Sequence, residues 1–249
     1  MGIGLPVGAL GNEAYLEPIV VRKNPDRSYC VEAVEINNYS PAEALSFTPL
    51  DLQSRSLPGG IQTDFSLRGS TFQGVLVLIN GQRANDPQTA HFNSDIPFTR
   101  ADLEKIEVIP GISGSAAGPE AIGGALNFQL KKPKTEEKVV EFQAGRHKRT
   151  GELVSISGQK GNLGLRCSLE NEESAGFRYD TDFKNFTVSG DSIFTLPAAE
   201  LELILGYQEK EFGAYDFYTP GSGYPSREWT KTFFSGVNAE MENASFKFT

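Results

Sequence analysis

The 249-residue sequence predicts a mixed α+β segment in its first half and an antiparallel all-strand region in its second. Three observations carry this. Val75-Leu76-Val77-Leu78-Ile79 is a continuous β-branched and aliphatic run, the signature of a strand buried on both faces. Short capped helical turns lie on either side of it. From residue 136 onward apolar and polar residues alternate in strand after strand, with turn signals between them.

The elements can be justified in chain order. Residues 1–28 are irregular, with one short β-prone run, Ile19-Val20-Val21, set between Pro18 and Arg22-Lys23-Asn24-Pro25. Ser40-Pro41-Ala42-Glu43 is a capping box with Pro at the first helical position, opening a short helix through Leu45 that Pro49 stops. Leu50 to Gly60 reads as polar and turn-rich, and Phe65-Ser66-Leu67-Arg68 as a short alternating strand. The Val75–Ile79 run ends in Asn80-Gly81, a tight-turn signal. Thr99-Arg100-Ala101-Asp102 caps one helical turn carrying Leu103, and Ile106-Glu107-Val108-Ile109 follows as a strand. The stretch 110–124 is rich in Gly, Ser and Ala, which lets backbone pass close to backbone. Ala125 to Leu130 is the last strand of this half, closed by Lys131-Lys132-Pro133.

In the second half, Leu163, Leu165, Cys167 and Leu169 alternate with Gly164, Arg166, Ser168 and Glu170, and Leu201, Leu203, Leu205 and Tyr207 with Glu202, Gly206 and Gln208. Phe186 with Val188, and Phe233 with Val237, mark further runs. Roughly six or seven strands of about 9–11 residues result, the length of a tilted strand crossing a bilayer. Short connections such as Lys160-Gly161-Asn162 contrast with a long aromatic stretch, Phe212 to Trp229, and Tyr207, Phe212, Tyr215, Phe217, Tyr218, Tyr224 and Trp229 suit an aromatic girdle. Alternation alone fits a soluble β-sandwich equally well. Glu170, Glu172 and Glu173 read as a solvated strand end.

Composition narrows the partners. A net charge of −9 without a block of Lys or Arg argues against nucleic acid. No run reaches the roughly 20 apolar residues of a spanning helix, a test that does not register membrane strands. Cys30 and Cys167 are far apart and form no metal or redox motif, while His91 and His147 are isolated, with no zinc spacing. The Gly-rich stretch lacks the Lys-Ser/Thr ending of a phosphate loop. No catalytic constellation, cofactor site or metal site is expected. The apolar start, Met1 to Ala14, lacks the basic residues of a full secretory leader and reads as the tail of one or as a loose terminus.

Leu67-Arg68-Gly69, then Val75 to Arg83, resembles the core of the TonB-dependent receptor plug domain. So does Ile106-Glu107-Val108-Ile109 followed by Gly118-Pro119-Glu120-Ala121-Ile122-Gly123-Gly124-Ala125-Leu126-Asn127. The ordered set covers about 70 residues, and it resembles cobalamin-receptor-like members of the family. The chain departs from the family pattern at Pro110-Gly111-Ile112, where Arg-Gly-Pro is usual, and at Ala117, where Tyr is usual.

The resemblance implies an α+β plug domain followed by antiparallel β-strands of an incomplete transmembrane β-barrel. The expected divisions are an N-terminal segment, 1–28, a plug, 29–133, and the first barrel strands, 136–249. Plugged barrels of this size class have about 22 strands, and 112 residues follow Glu137, so a truncated receptor is expected. It also implies a nutrient receptor of the Gram-negative outer membrane, plug toward the periplasm, whose partners are TonB, outer-membrane lipid and a small molecule such as cobalamin or an iron chelate. Leu16, Glu17, Pro18, Ile19, Val20 and Val21 resemble a TonB box, an extended segment able to add a strand to a partner's sheet.

By family position, substrate meets the loops Leu57–Asp64 and Arg83–Ser94, giving Gln62, Thr63, Arg83, Asn85, Asp86, Gln88, His91 and Asn93 as candidate binding residues. Arg68, Gly69, Asn80, Gly81, Gly118, Gly123, Gly124 and Asn127 are expected to build the plug itself. Arg68 and Arg83 are further candidates for ion pairs with the barrel wall. The alternatives are a soluble periplasmic binding or interaction module built on the plug and a β-sandwich adhesin.

Overall fold

A computed structural model describes residues 22–23, 29–32, 41–46, 48, 50–54, 61–111, 121–241 and 244–248. The expected TonB box, Leu16 to Val21, and Gly118 lie outside them.

A six-stranded mixed sheet forms the first half. Its strands are β1 (Arg22–Lys23), β2 (Tyr29–Glu32), β5 (Val75–Ile79), β6 (Gln82–Arg83), β7 (Leu103–Pro110) and β8 (Gly124–Leu130), in the order β1-β2-β7-β8-β5-β6. β5 and β8 pair in parallel, Val75 to Ile79 against Gly124 to Phe128. Every residue of β5 is buried, as a strand covered on both faces requires. The core joins Val77, Ile79, Leu103, Ile106, Val108, Leu126 and Phe128. A short helix, α1 (Pro41–Leu45), adds Leu45, and a separate hairpin of β3 (Leu50–Ser54) and β4 (Thr63–Leu67) adds Leu50, Phe65 and Leu67. The stretch from Leu50, expected to be turn-rich, therefore begins as a strand. Its partner is β4, and the pairing Leu50 to Leu67 is not visible in the local pattern of a polar segment.

Asn80 and Gly81 both have positive φ (48° and 75°), the geometry of a tight two-residue hairpin turn. The turn is fastened to β8: Gly81 N–H donates to Asn127 Oδ1 at 2.9 Å, and Leu130 N–H to Asn80 Oδ1 at 2.8 Å. At Gly124 (φ 149°) a side chain would collide with Leu67 and the Ile109 carbonyl, which explains the small residue there. Gly123 similarly faces Ser70 and the Leu67 carbonyl, while Gly69 turns the chain at φ 75° in open space.

The second half is one antiparallel meander: β9 (Glu137–Ala144), β10 (Thr150–Lys160), β11 (Leu163–Ser174), β12 (Phe183–Leu196), β13 (Ala199–Gly213), β14 (Arg227–Met241) and β15 (Ala244–Phe248). β9 and β15 are its edges. Short turns at 161–162 and 197–198 lie at one end, and longer connections at 175–182 and 214–226 at the other.

The polarity of this sheet is inverted relative to a soluble sandwich. Its outward face carries Ile156, Leu165, Leu169, Val188, Leu201, Leu203, Leu205 and Phe233, all substantially exposed. Its inward face carries Ser155, Arg166, Ser168, Glu170, Thr187, Ser189, Glu202, Gln208 and Lys210, all buried. A β-sandwich buries its apolar faces against each other. Among the described residues the apolar face has no protein cover, and the polar face packs on the six-stranded sheet, with Ile204 and Phe234 joining its apolar core.

Candidate functional site

The polar inner wall and the plug are joined by hydrogen bonds and ion pairs. Asp102, in the capped turn that starts β7, accepts from its own Thr99 N–H (2.8 Å) and Thr99 Oγ1 (2.7 Å). Its carboxylate also accepts from Ser168 Oγ on β11 (2.5 Å) and Ser189 Oγ on β12 (2.6 Å). The adjacent Arg100 pairs with Glu170 (2.8 Å) and Glu141 (3.1 Å). Glu170 is therefore buried against the plug, not part of a solvated strand end; its partner lies 70 residues away in sequence. Nearer the long loops, Lys210 of β13 reaches Asp95 (2.8 Å) and the Ile61 carbonyl (3.2 Å), and Thr230 donates to the same aspartate (2.9 Å). The Lys210 and Asp95 side chains are 5% and 3% exposed, so this pair is desolvated and depends on its complete set of partners.

Arg68 sits exposed in a positive-φ turn with its guanidinium over Gly111. Arg83 is exposed beside Leu78, at the short-turn end of β5. Among the described residues, cations that meet wall carboxylates include Arg100 on Glu170 and Glu141, Lys131 on Glu137, and Lys132 and Lys134 on Glu200.

At the long-loop end the plug presents a compact cluster. His91 Nδ1 lies 3.0 and 3.1 Å from the two oxygens of Asp64. Its ring stands 4.2 Å from that of Phe72 and edge-on to Phe217 at 6.4 Å. Ile61 and Phe92 pack with Phe183, Phe212, Ala214 and Phe217 from the wall and its longest loop. Phe212, on the inward face of β13, and Phe217, in the connection that follows, are thus buried against the plug and not in an outer girdle; Trp229 and Tyr224 stay exposed. Burial pushes the Tyr218 phenol in this loop up to about 12, with the Glu228 carboxylate adding to the rise.

The sequence-predicted binding residues divide by role. Gln62, Thr63, Asn93 and His91 come together at this end. The Thr63 N–H donates to Ser94 Oγ (3.3 Å), tying β4 to the loop that carries His91. Asn85, Asp86 and Asn93 are used to build that loop. Asn85 takes the place of a strand partner for β5, accepting from Val77 N–H (2.8 Å) and donating to the Val75 carbonyl (3.0 Å). Asp86 accepts from the N–H groups of Gln88 (2.8 Å) and Thr89 (2.7 Å), and its own N–H donates to Asn93 Oδ1 (2.9 Å). Gln88 is exposed at the loop's surface. Arg83 is at the far end of β5 from this cluster. Sequence reading missed Asp64, Asp95, Asp102 and Lys210; the available signal was that Arg166, Ser168 and Glu170, like Gln208 and Lys210, share one phase of their strands.

Residues 30–125 match the TonB-dependent receptor plug domain. A vitamin B12 transporter BtuB of Vibrio cholerae is 26% identical over 194 residues, 66% of this chain and 31% of that protein. Its counterpart in Photobacterium profundum is 33% identical over 155 residues, 54% of this chain and 25% of the relative. Among solved structures, P. aeruginosa FpvA bound to a heterologous pyoverdine superposes with a TM-score of 0.66 at 18% identity, over 89% of this chain and 33% of the other. The chain thus spans about a third or less of the length of the relatives it matches. Plug motifs, matched residues and a wall that is apolar outside and polar inside agree: residues 30–125 are a TonB-dependent receptor plug domain, and the chain has the fold of such receptors, a plug followed by an open portion of barrel wall.

Proposed function

We propose that this chain provides the first-contact and coupling parts of a TonB-dependent uptake receptor for a scarce nutrient of the cobalamin or iron-chelate kind. The observation that carries the reading is the plug's cluster at the long-loop end, where Gln62, Thr63, Asp64, His91 and Asn93 meet Phe72, Phe217 and Tyr218. Polar groups beside aromatic faces suit a ligand with a polar rim and an apolar body. Relatives named as vitamin B12 transporters support the same cargo class. In this reading Leu16 to Val21 is the handle for TonB, and the outward apolar face of β9–β15 is the lipid contact. Nothing in this role calls for catalysis.

The test is site-specific cross-linking. Cysteines placed one at a time from Leu16 to Val21, with Cys30 and Cys167 replaced by Ser, are presented to the periplasmic domain of TonB. The reading expects cross-links concentrated at alternate positions, as strand addition requires. Uniform or absent cross-linking would remove the coupling role.

A further inference from the structure

His91 is one of two histidines in the chain, and only it is built into a site. His147 stands exposed in the β9–β10 connection, engaged through its backbone carbonyl by Ala175 N–H and Ser174 Oγ. His91 instead sets Nδ1 against both oxygens of Asp64, a side chain 6% exposed on β4. A carboxylate at Nδ1 holds the ring proton there, fixes the ring's orientation and leaves Nε2 as the basic nitrogen. Nε2 has no partner among the described residues. Phe72 and Phe217 brace the ring from its face and its edge, and 32% of the His91 side chain remains open.

An imidazole held in this way is a ligand for a borderline metal. One nitrogen does not hold a bare ion, and among the described residues no group of three His, Cys, Asp or Glu side chains gathers here to complete a metal site. The metal must therefore arrive with most of its coordination already filled. We infer that His91 Nε2 coordinates the metal of an incoming chelate that keeps one exchangeable position, with Asp64 orienting the ring. One metal–nitrogen bond forms, the water or weak ligand at that position leaves, and no electron is transferred. The inference rests on the uptake reading for its biological ligand and narrows that ligand to chelates with a replaceable group on the metal.

The probe is Cu(II)–nitrilotriacetate, whose copper retains open positions, added to the full chain in detergent micelles and followed by copper EPR. The expected result is a saturating signal with splitting from one additional nitrogen. His91→Asn keeps an amide able to face Asp64 but has no Nε2, and binding should weaken by about tenfold or more. Asp64→Asn removes the orienting carboxylate and should weaken binding about tenfold, the scale of such losses at metal sites. His147→Ala should bind as the parent does. A parent chain with no saturating signal, a His91→Asn variant that binds like the parent, or loss of the signal in His147→Ala would each overturn the inference. The TonB cross-links are read separately. Failed chelate binding with intact cross-links removes the role of His91 alone, and the converse removes the coupling role while leaving the metal contact.

Discussion

The plug sheet and the barrel wall are both made of alternating strands, yet they sort their side chains in opposite ways. In β5 and β8 apolar residues meet protein on both faces, and Val77, Leu126 and Phe128 form the centre of a conventional core. In β11 and β13 the apolar phase, Leu165 and Leu169, Leu203 and Leu205, faces away from the protein, while Ser168, Glu170, Glu202 and Lys210 are buried. Alternation alone does not say which phase points inward. That is decided by the partner: a plug bristling with Asp95, Arg100 and Asp102 selects the polar phase, and lipid accepts the apolar one. Along its middle the wall is held to the plug by directional bonds, with apolar contact at Ile204 and Phe234 and at the Phe183, Phe212 and Phe217 cluster, and the polar members of this arrangement are costly to remove singly.

The contrast can be broken at several strengths. Phe128→Ala in the plug core should cost about 3–5 kcal/mol, read from denaturant unfolding of the plug by hydrogen exchange. Lys210→Met strands the Asp95 carboxylate and should cost about 3–5 kcal/mol, whereas the double replacement Asp95→Leu with Lys210→Met should recover most of that loss. The same unfolding experiment distinguishes them, and an additive double variant would show that the pair is not coupled. Leu205→Arg on the outward face should cost about 2–4 kcal/mol in lipid vesicles. If that face were merely water-exposed, the change would stay within about 0.5 kcal/mol.

A smaller effect is expected where wall and plug touch most closely. At Gly206 an added side chain would meet the Pro97 carbonyl and the Phe98 ring. Gly206→Leu should therefore lose about 1–3 kcal/mol by overcrowding, with faster exchange confined to residues near Pro97. The smallest effect is in the exposed loop after β13. The N–H groups of Gly221 and Gly223, followed by Ser222, hold the Asp216 carboxyl below the ordinary aspartate range. A depressed folded value means the contribution is present above the ordinary range and disappears as pH falls through the lowered one. Protection of the Gly221 and Gly223 amides should fall on that acid limb, and Asp216→Asn should remove the pH dependence.

The parts legible in the sequence were those whose signals are local. The Val75–Ile79 run, the Asn80-Gly81 turn and the Thr99–Asp102 cap depend on neighbours within a few residues, and the strand phases of 163–170 and 201–208 follow from period two. What escaped depended on distant partners. Glu170 looked like surface until Arg100 met it, and Leu50 to Ser54 looked like loop until β4 paired with it. The ion pairs of Arg100 and Lys210 were not legible either, because only the packing of plug on wall reveals their partners. In the candidate site, the loop 83–94 was legible as polar. The division between Asn85, Asp86 and Asn93, which hold the loop, and His91, which faces outward on Asp64, was not, because it rests on hydrogen bonds to β4 and β5.

The inverted polarity of the wall is tested most directly by spin labels placed singly from Leu201 to Gln208 of β13, in vesicles, with Cys30 and Cys167 replaced by Ser. Collision with oxygen and with a water-soluble nickel complex is read at each position. The account predicts a period-two pattern, with labels at Leu201, Leu203, Leu205 and Tyr207 open to oxygen and shielded from nickel, and labels at Glu202, Ile204, Gly206 and Gln208 shielded from both or restricted by the plug. A pattern of opposite phase, or nickel access at the leucine positions equal to that in water, would contradict it.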